Sequence, residues 1–474
     1  MKPVSMRGIT PAARWALAVA AACFTAAPSL AWGEGVDPAR NRFLLLDSRL
    51  IEKVENARLA VGTVNKHPGN PLFGQELPWE TNTSHMYPNV VYDPHERIYK
   101  LWYYTRMDDA GVLEWKRDVT PGPLAPKQTG EGNCATLYAT SKDGIRWEKP
   151  ALDVYRYKGK PTNIVVWRDH GTGVFLDARD PDPMRRYKLI TVRGAPGKID
   201  AAFSPDGIRW SEFRCIAEAR GDTHNNAFWA PSLDRYVAIT RAYPGMRTVL
   251  RMESEDFINW TEPVEVLRGS QAAQTYSMPV FPYAGVYLGL PAIFRAGTDK
   301  RVHTELAWSP DTAAWKRIQP GAQLIPLSEK AGALDRGCIY AAAVPVVLED
   351  EIRIYYSAQK KQHSDQPGWL CMATMRSDGW AGYEQEVVKQ PAVVTTTAIP
   401  YKGQPLGITA DVAKGGSVRV CVVDDNGQHV ARAAPVSQTV SDERLVWDKQ
   451  IEPGTIRLRF EFSNAKLFSF SMGD

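Results

Sequence analysis

The chain has 474 residues, more than one compact core usually holds, so a large domain with a smaller appendage is expected. Aromatic residues make up 10% of it, with 15 Trp, 34 Pro and 36 Gly, which favours a turn-rich β protein over a helical one. The formal net charge of +4 falls to +1 if Lys2, Arg7 and Arg14 leave with a cleaved leader; this predicts no nucleic-acid partner and no anionic-membrane partner.

Residues 1–31 read as a secretory signal. Lys2, Arg7 and Arg14 precede the apolar run Trp15 to Ala27, and Ser29-Leu-Ala31 supplies small residues before a cut. The run is short for a membrane span, so the mature protein is expected to be secreted or periplasmic. Loss of Cys23 leaves Cys134, Cys215, Cys338, Cys371 and Cys421, a scattered odd set with no disulfide framework or zinc pattern. Residues 32–80 form a leader that is expected to pack on the main domain. Within it Phe43 to Gly62 is patchily apolar, and Pro68 to Pro78 is loop.

A short phrase then recurs at the end of strand-like runs. Its copies are Ser141-Lys-Asp143-Gly-Ile-Arg-Trp147, Ser204-Pro-Asp206-Gly-Ile-Arg-Trp210, Ser254-Glu-Asp256-Phe-Ile-Asn-Trp260 and Ser309-Pro-Asp311-Thr-Ala-Ala-Trp315, with a degenerate copy at Ser377-Asp378-Gly379-Trp380. The Trp-to-Trp steps of 63, 50, 55 and 65 residues match a four-stranded propeller blade, so residues 81–392 are predicted to be a five-bladed β-propeller. Ser and Asp bond their own backbone in a tight turn, which makes these acids turn-formers and not catalytic groups.

Each predicted blade opens on a polar cluster that leads into a first strand. The clusters begin at His85, Asp169, Asp222, Gln274 and Asp335. Second apolar strands follow at Tyr99 to Tyr104, Tyr187 to Val192, Tyr236 to Thr240, Val286 to Leu290 and Ile352 to Tyr356. Beyond residue 392 the pattern changes. Ser417 to Val423 and His429 to Ala433 flank the turn Asp424-Asp-Asn426-Gly427, and Ile456 to Phe462 alternates with period two; residues 393–474 are therefore predicted to be a small β-sandwich.

In a propeller the innermost strands converge on a central channel, so the residues that begin them reach one ligand. That geometry gathers His85, Tyr87, Asn89, Asp169, His170, Asp222, His224, Asn225, Gln274, Tyr276, Asp335, Arg336 and Tyr340 into one polar funnel. Burying such groups unpaired costs about 1–3 kcal/mol each, which argues for a ligand cup over a core; a solvated rim is the plain alternative. Arg241, Arg295 and Arg336 stand near strand ends, where they either hold a substrate carboxylate or sulfate or pair with funnel acids. His85, His170 and His224 occupy corresponding positions and could meet around a cation with Asp222, yet no local ligand spacing supports zinc; calcium on the channel's oxygen ligands is the other alternative, and the expectation is that the site holds no metal. Serine-hydrolase, phosphate-loop and dinucleotide fingerprints are absent.

The chain resembles the five-bladed propeller glycoside hydrolases, the invertase-like and arabinanase-like families 32, 43, 68 and 117. The resemblance covers about residues 80 to 390 and rests on blade count, on acids at the start of inner strands and on a trailing β-sandwich. Invertase-like enzymes place their three acids in Asn-Asp-Pro-Asn, Arg-Asp-Pro and Glu-Cys-Pro phrases. The second position falls on Arg168-Asp169 and the third on Gly221-Asp222. The first departs, because Met86-Tyr87-Pro88-Asn89 carries no acid. The literal Arg179-Asp180-Pro181 lies in a hairpin turn and reads as turn chemistry.

Glycoside cleavage needs one protonated and one ionised carboxyl. Asp222 and Asp335 are the expected pair, with Asp169 orienting the sugar. Glu305 is a further candidate, since an acid inside the strand Thr304 to Trp308 needs a reason; an ion pair with Arg301 or another base is the plain one. His224 either stands in as acid or is a hydrogen-bonded funnel residue. The function implied is a secreted glycosidase that takes a carbohydrate substrate and uses no organic cofactor. A carbohydrate-binding propeller without turnover is the alternative.

Overall fold

The computed structural model describes residues 41–107, 113–115, 133–193, 197–364 and 366–473. The predicted signal, with Cys23, lies outside them. Among the described residues the regular structure is β, with single 3-10 turns at Ser48–Leu50 and Pro183–Arg185.

Four sheets have four antiparallel strands each. The first contains Asn89–Asp93, Ile98–Arg106, Cys134–Ser141 and Ile164–Trp167. The second contains Asp169–Leu176, Tyr187–Arg193, Ile199–Ser204 and Arg214–Ala217. The third contains Asn226–Ala230, Arg235–Ala242, Thr248–Ser254 and Val264–Arg268. The fourth contains Val280–Tyr283, Val286–Gly289, Leu306–Ser309 and Lys316–Ile318. Its chain runs are interrupted at Pro279 and Pro291, residues without an N–H to give to a ladder. Beyond those breaks Gln274–Ser277, Ala292–Phe294 and Val302–Thr304 join an eight-stranded sheet with Cys338–Ala341, Val346–Val347, Glu351–Gln359, Trp369–Arg376 and Asn65–Lys66.

Successive innermost strands touch in chain order, and Val346–Val347 returns to Asn89–Asp93. The sheets therefore stand around an axis, which is a propeller arrangement. The predicted first and second strands lie where the alternation put them.

The repeated phrase folds as its chemistry requires. In the first copy Asp143 Oδ1 accepts the N–H of Ile145 and of Arg146, both at 2.8 Å, while Ser141 Oγ accepts that of Gly144 at 2.8 Å. The bonds recur at Asp206 and Asp256, and Asp311 likewise takes two backbone N–H groups. Burial works against ionisation of these acids, yet the backbone donors outweigh it and hold all four below the usual carboxylate range. Trp147, Trp210, Trp260 and Trp315 fold back onto the hydrophobic clusters between sheets. In the degenerate copy Asp378 instead accepts Tyr283 Oη at 2.7 Å and Ser469 Oγ at 2.6 Å, which ties the propeller to the chain's last strand.

Seams between sheets carry buried charge. Asp93, fully buried, meets Arg186 at 2.6 Å, Lys100 at 3.2 Å and the Tyr187 hydroxyl. One sheet further on, Asp177 meets Lys188 at 2.8 Å and Tyr236 Oη at 2.6 Å. Asp180 of the Arg-Asp-Pro phrase pairs with Lys188 at 2.8 Å in the hairpin, as turn chemistry implies.

Leu113–Trp115, Leu152–Tyr157 and Lys160–Thr162 form a three-stranded sheet, and the other described strands form one ten-stranded sheet. Arg42–Leu44, Ile51–Glu55 and Ala57–Val61 of the leader pair in it with Ala381–Gln385, Ala392–Thr396 and the long strand Gly454–Met472. Leu406–Val423 and His429–Arg432 make the hairpin foreseen around Asp424, over a core that includes Val394, Ile408, Val420, Phe460 and Leu467. The leader is thus built into sheets on both sides, since Asn65–Lys66 adds to Trp369–Arg376. All five described cysteines are free; four are buried and Cys215 is exposed.

Candidate functional site

Each innermost strand runs from one end of the axis to the other. Because neighbouring strands are antiparallel, the turns between second and third strands lie at the end where the innermost strands begin. Side chains from both sources meet there: His85 and Tyr87 before the first strand, His170, Asp222, His224, Tyr276 and Tyr340 at later strand starts, Arg241 near the end of the strand Arg235–Ala242, and Arg247 and His363 from the intervening turns. The opposite end closes on an apolar cavity of about 380 Å³, lined by residues such as Val90, Phe175, Phe228, Phe281 and Val346.

His85, Met86 and Tyr87 have φ of 65°, 47° and 44°, three successive non-glycine residues in the left-handed region. Such a run is costly and persists only where its surroundings dictate it. Here Tyr104 N–H donates to Met86 O at 2.6 Å and Asn89 Nδ2 to Tyr87 O at 2.9 Å. The turn turns both rings inward, 5.5 Å apart and nearly parallel.

Asp222 is the carboxylate of this cluster. Its Oδ1 lies 3.2 Å from His170 Nε2 and its Oδ2 2.5 Å from Arg241 Nη2; the side chain remains 35% exposed while Arg241 is 3% exposed. Burial disfavours the charge on Asp222, but His170 and Arg241 outweigh it and hold the carboxyl well below its usual range. Burial likewise opposes charge on His170, and the hydrogen bond to Asp222 together with the neighbouring Cys134 thiol reverses this, raising it to about 10. The pair is therefore an imidazolium beside a carboxylate at neutral pH.

Across the cluster His85 is neutral. Burial, helped by the charges of His363 and His170, lowers it well below the ordinary histidine value. Its Nδ1 contacts Ser84 Oγ at 2.9 Å, and its Nε2 faces His363 Nδ1 at 3.2 Å and Tyr276 Oη at 3.4 Å. Tyr340 Oη reaches the same His363 nitrogen at 3.2 Å. His224 is also neutral, lowered by burial to about 3, and its Nε2 bonds Asn89 Oδ1 at 3.2 Å. Several buried atoms at this end have no protein partner: Tyr87 Oη, His170 Nδ1, His224 Nδ1, Arg241 Nε and Arg247 Nε. Such orphans are what a ligand-binding cup leaves for its ligand. No group of three or more His, Cys, Asp or Glu among the described residues is disposed to hold a metal ion, and the three corresponding histidines do not converge on one point.

Other expected site residues fall elsewhere. Asp335 pairs with Lys66 at 2.5 Å, and Lys66 also donates to Pro326 O; this lies where the leader strand joins the eight-stranded sheet, not among the funnel rings. Arg336 beside it is exposed. The reason is that 319–337 lie between the strands Lys316–Ile318 and Cys338–Ala341, so the first polar residues of this run are spent in that connection before the axis is reached. Glu305 is fully buried between Arg317 at 2.6 Å, His303 at 3.0 Å and the Gly321 N–H at 2.9 Å. It is an internal ion pair, and its partner is Arg317 and not Arg301. Arg295 pairs with Asp299 at 2.7 Å.

Asp169 is buried in the seam between the first and second sheets, where Thr136 and Thr172 donate to its Oδ2; burial raises its pKa, and Oδ1 has no partner. Asn89 and Asn225 bond mainly backbone, beside the contacts of Asn89 with His224 and of Asn225 with Thr240. Asn89 binds Thr172 O and Val174 N–H, which locks the first sheet to the second, and Asn225 Nδ2 binds Gly171 O and Gly221 O. Gln274 Oε1 accepts from Arg247 Nη1 at 3.0 Å. Sequence reading missed Arg247, His363 and Tyr104. Their signal was position at the strand-start end, Arg247 and His363 in turns and Tyr104 late in the strand Ile98–Arg106, which is apparent only once the blade direction is assigned.

No family model matches the chain, and no curated protein matches it. Among solved structures it is similar to the catalytic domain of a GH62 α-L-arabinofuranosidase from Coprinopsis cinerea, with a TM-score of 0.47 and 15% identity over 67% of this chain and 98% of that one. It is also similar to an N-acetylgalactosamine deacetylase from F. plautii in complex with blood group B trisaccharide, with a TM-score of 0.44 and 15% identity over 68% and 96% of the two chains. The α-L-arabinofuranosidase PaAbf62A from Podospora anserina, in complex with cellotriose, gives a TM-score of 0.45 and 13% identity over 66% and 96%.

Proposed function

We propose that the chain is an exported glycoside hydrolase built on a five-bladed propeller. In this reading the strands Cys338–Ala341, Glu351–Gln359, Trp369–Arg376 and Asn65–Lys66 form the fifth blade, and the ten-stranded sheet serves as the accessory sandwich. The observation that carries the proposal is Asp222: an ionised, part-exposed carboxylate at the axis, fixed on both oxygens by His170 and Arg241. It is the group that takes a proton from the attacking water. His170 and Arg241 are positioning residues, since they set its orientation and charge.

Among the described residues no second carboxyl joins Asp222, so the proton for the leaving oxygen comes from an imidazole. His85 fits that role, because its Nε2 is presented by the strained turn and faces His363 and Tyr276. A histidine held below 6.5 gains its proton only as the medium is acidified, whereas Asp222 stays charged below the usual carboxylate range. Turnover is therefore expected to rise as pH falls from neutrality and to fail only in strong acid.

Reducing-end release from a panel of glycans tests this. Asp222→Asn is expected to lower kcat by roughly 10²–10⁴-fold with binding retained, and His85→Gln to flatten the alkaline side of the pH profile. Unchanged turnover by Asp222→Asn would sink the assignment. A second reading, a glycan-binding propeller without turnover, is favoured by the same lone carboxylate and its two ion pairs; binding without release by the wild type would select it.

A further inference from the structure

Around Asp222 positive charge exceeds negative. Arg241 and the His170 imidazolium already match its carboxylate, and two more guanidinium groups stand on the rim. Arg247 is partly buried among aromatic rings, 5.1 Å from the centroid of Tyr276, 5.0 Å from Phe294 and 5.6 Å from Tyr243. Its Nη1 donates to Gln274 Oε1, its Nε is buried without a partner, and no carboxylate among the described residues pairs with it. Arg220 is exposed, lies 5.5 Å from the same Tyr243 ring, and also lacks an ion pair among the described residues. Tyr243 itself is 45% exposed and offers an apolar face between the two cations.

A desolvated guanidinium without a counter-ion is unfavourable, and a planar fork of donors is best satisfied by an oxyanion. A neutral sugar would stack on Tyr243 but leave the part-buried Arg247 without a counter-ion. We propose that this rim is an anion subsite, and that the saccharide taken by the site carries an acidic group, a uronate carboxylate or a sulfate ester, held by Arg247 and Arg220 with its ring against Tyr243. The inference rests on the carbohydrate-processing reading and specifies its substrate class.

The test is calorimetric titration of the full chain with oligogalacturonate and with a sulfated galactan oligosaccharide, each beside its methyl-esterified or desulfated form, at low and high salt. One acidic form is expected to bind, its neutral form to bind roughly ten- to a hundredfold more weakly, and added salt to erode the difference. The acidic form that binds distinguishes carboxylate from sulfate. Arg247→Gln is expected to impose the same loss on the acidic form alone; Arg220→Gln, at an exposed position that folding does not need, gives a smaller loss in the same direction. Equal affinity for acidic and neutral forms, no binding of either acidic glycan, or an unaffected Arg247→Gln overturns the subsite. Acidic-glycan binding without turnover ends the hydrolase reading and keeps the subsite, while turnover of a neutral glycan untouched by Arg247→Gln does the reverse.

Discussion

Between the first two sheets Asp93 is met by Lys100, Arg186 and Tyr187; at the axis Asp222 is met by His170 and Arg241, with Arg247 and Arg220 left over. Both regions bury charge within the same propeller, and they differ in how completely it is matched. No side-chain nitrogen or oxygen of Asp93, Lys100, Tyr187, Asp177, Lys188 or Tyr236 is buried without a partner, whereas Tyr87, His170, His224, Arg241 and Arg247 each leave one such atom. A seam has to hold two sheets and gains from closing its bonds, as these two networks do, although Asp169 Oδ1 between the first and second sheets is left without a partner. A cup that must exchange those bonds for a ligand's cannot close them in advance, and left-handed backbone at His85–Tyr87 adds to the cost. The far end of the axis is a third case, since its lining is mostly apolar and the charged groups in it are already engaged, Asp177 by Lys188 and Arg179 on the Trp229 ring.

The sharpest way to break this comparison is at the seam. Asp93→Asn removes the anion between Lys100, 1% exposed, and Arg186, 18% exposed. Breaking a buried pair from one side costs about 3–5 kcal/mol, so urea unfolding is expected to shift by that amount with glycan binding unchanged. A loss of binding without a loss of stability would show that the seam and the cup are not separable.

The cup has its own stability signature, which runs with pH. His224 titrates near 3 when folded and near 6.5 when unfolded, so below pH 6.5 the unfolded chain takes up the proton first. Its contribution is present above 6.5 and is lost as the medium is acidified towards 3, about 2 kcal/mol by pH 5. His224→Gln, which keeps a donor for Asn89, is expected to flatten the acid slope of the unfolding midpoint by that much. An unchanged slope would mean that His224 is protonated in the folded state.

Fold and site were legible in the sequence to different degrees, for physical reasons. Asp143 and its repeats were readable because an Asx turn is local: donors and acceptor lie within three residues. The gathering of His85, His170, Asp222, His224, Tyr276 and Tyr340 was readable through the repeat, since equivalent strand starts face one axis. Asn89 and Asn225 misled because a polar residue at a strand start serves a neighbouring sheet's backbone as well as a ligand. Arg247 and His363 went unseen because their turns belong to no repeated phrase. The leader's pairing was the least legible: Asn65–Lys66 pairs with Ala373 and Thr374, about three hundred residues away, a contact that nothing local announces.

Asp335 draws these strands together, since its place in the repeat matched that of Asp222 and its role does not. It opens the last polar cluster, yet it sits 13% exposed against Lys66, the residue that brings the leader strand to the eight-stranded sheet. A half-buried pair of this kind, with Lys66 still able to donate to Pro326 O, contributes modestly. Asp335→Asn is expected to lower stability by about 1 kcal/mol and to leave turnover and glycan affinity within about twofold. A large loss of turnover at full stability would put Asp335 back among the catalytic groups and undo the distinction between cup and seam at this blade. A stability loss that disappears in the Lys66→Met background would instead locate its whole effect in holding the leader strand, because a double-mutant cycle isolates the pair from everything else that either residue touches.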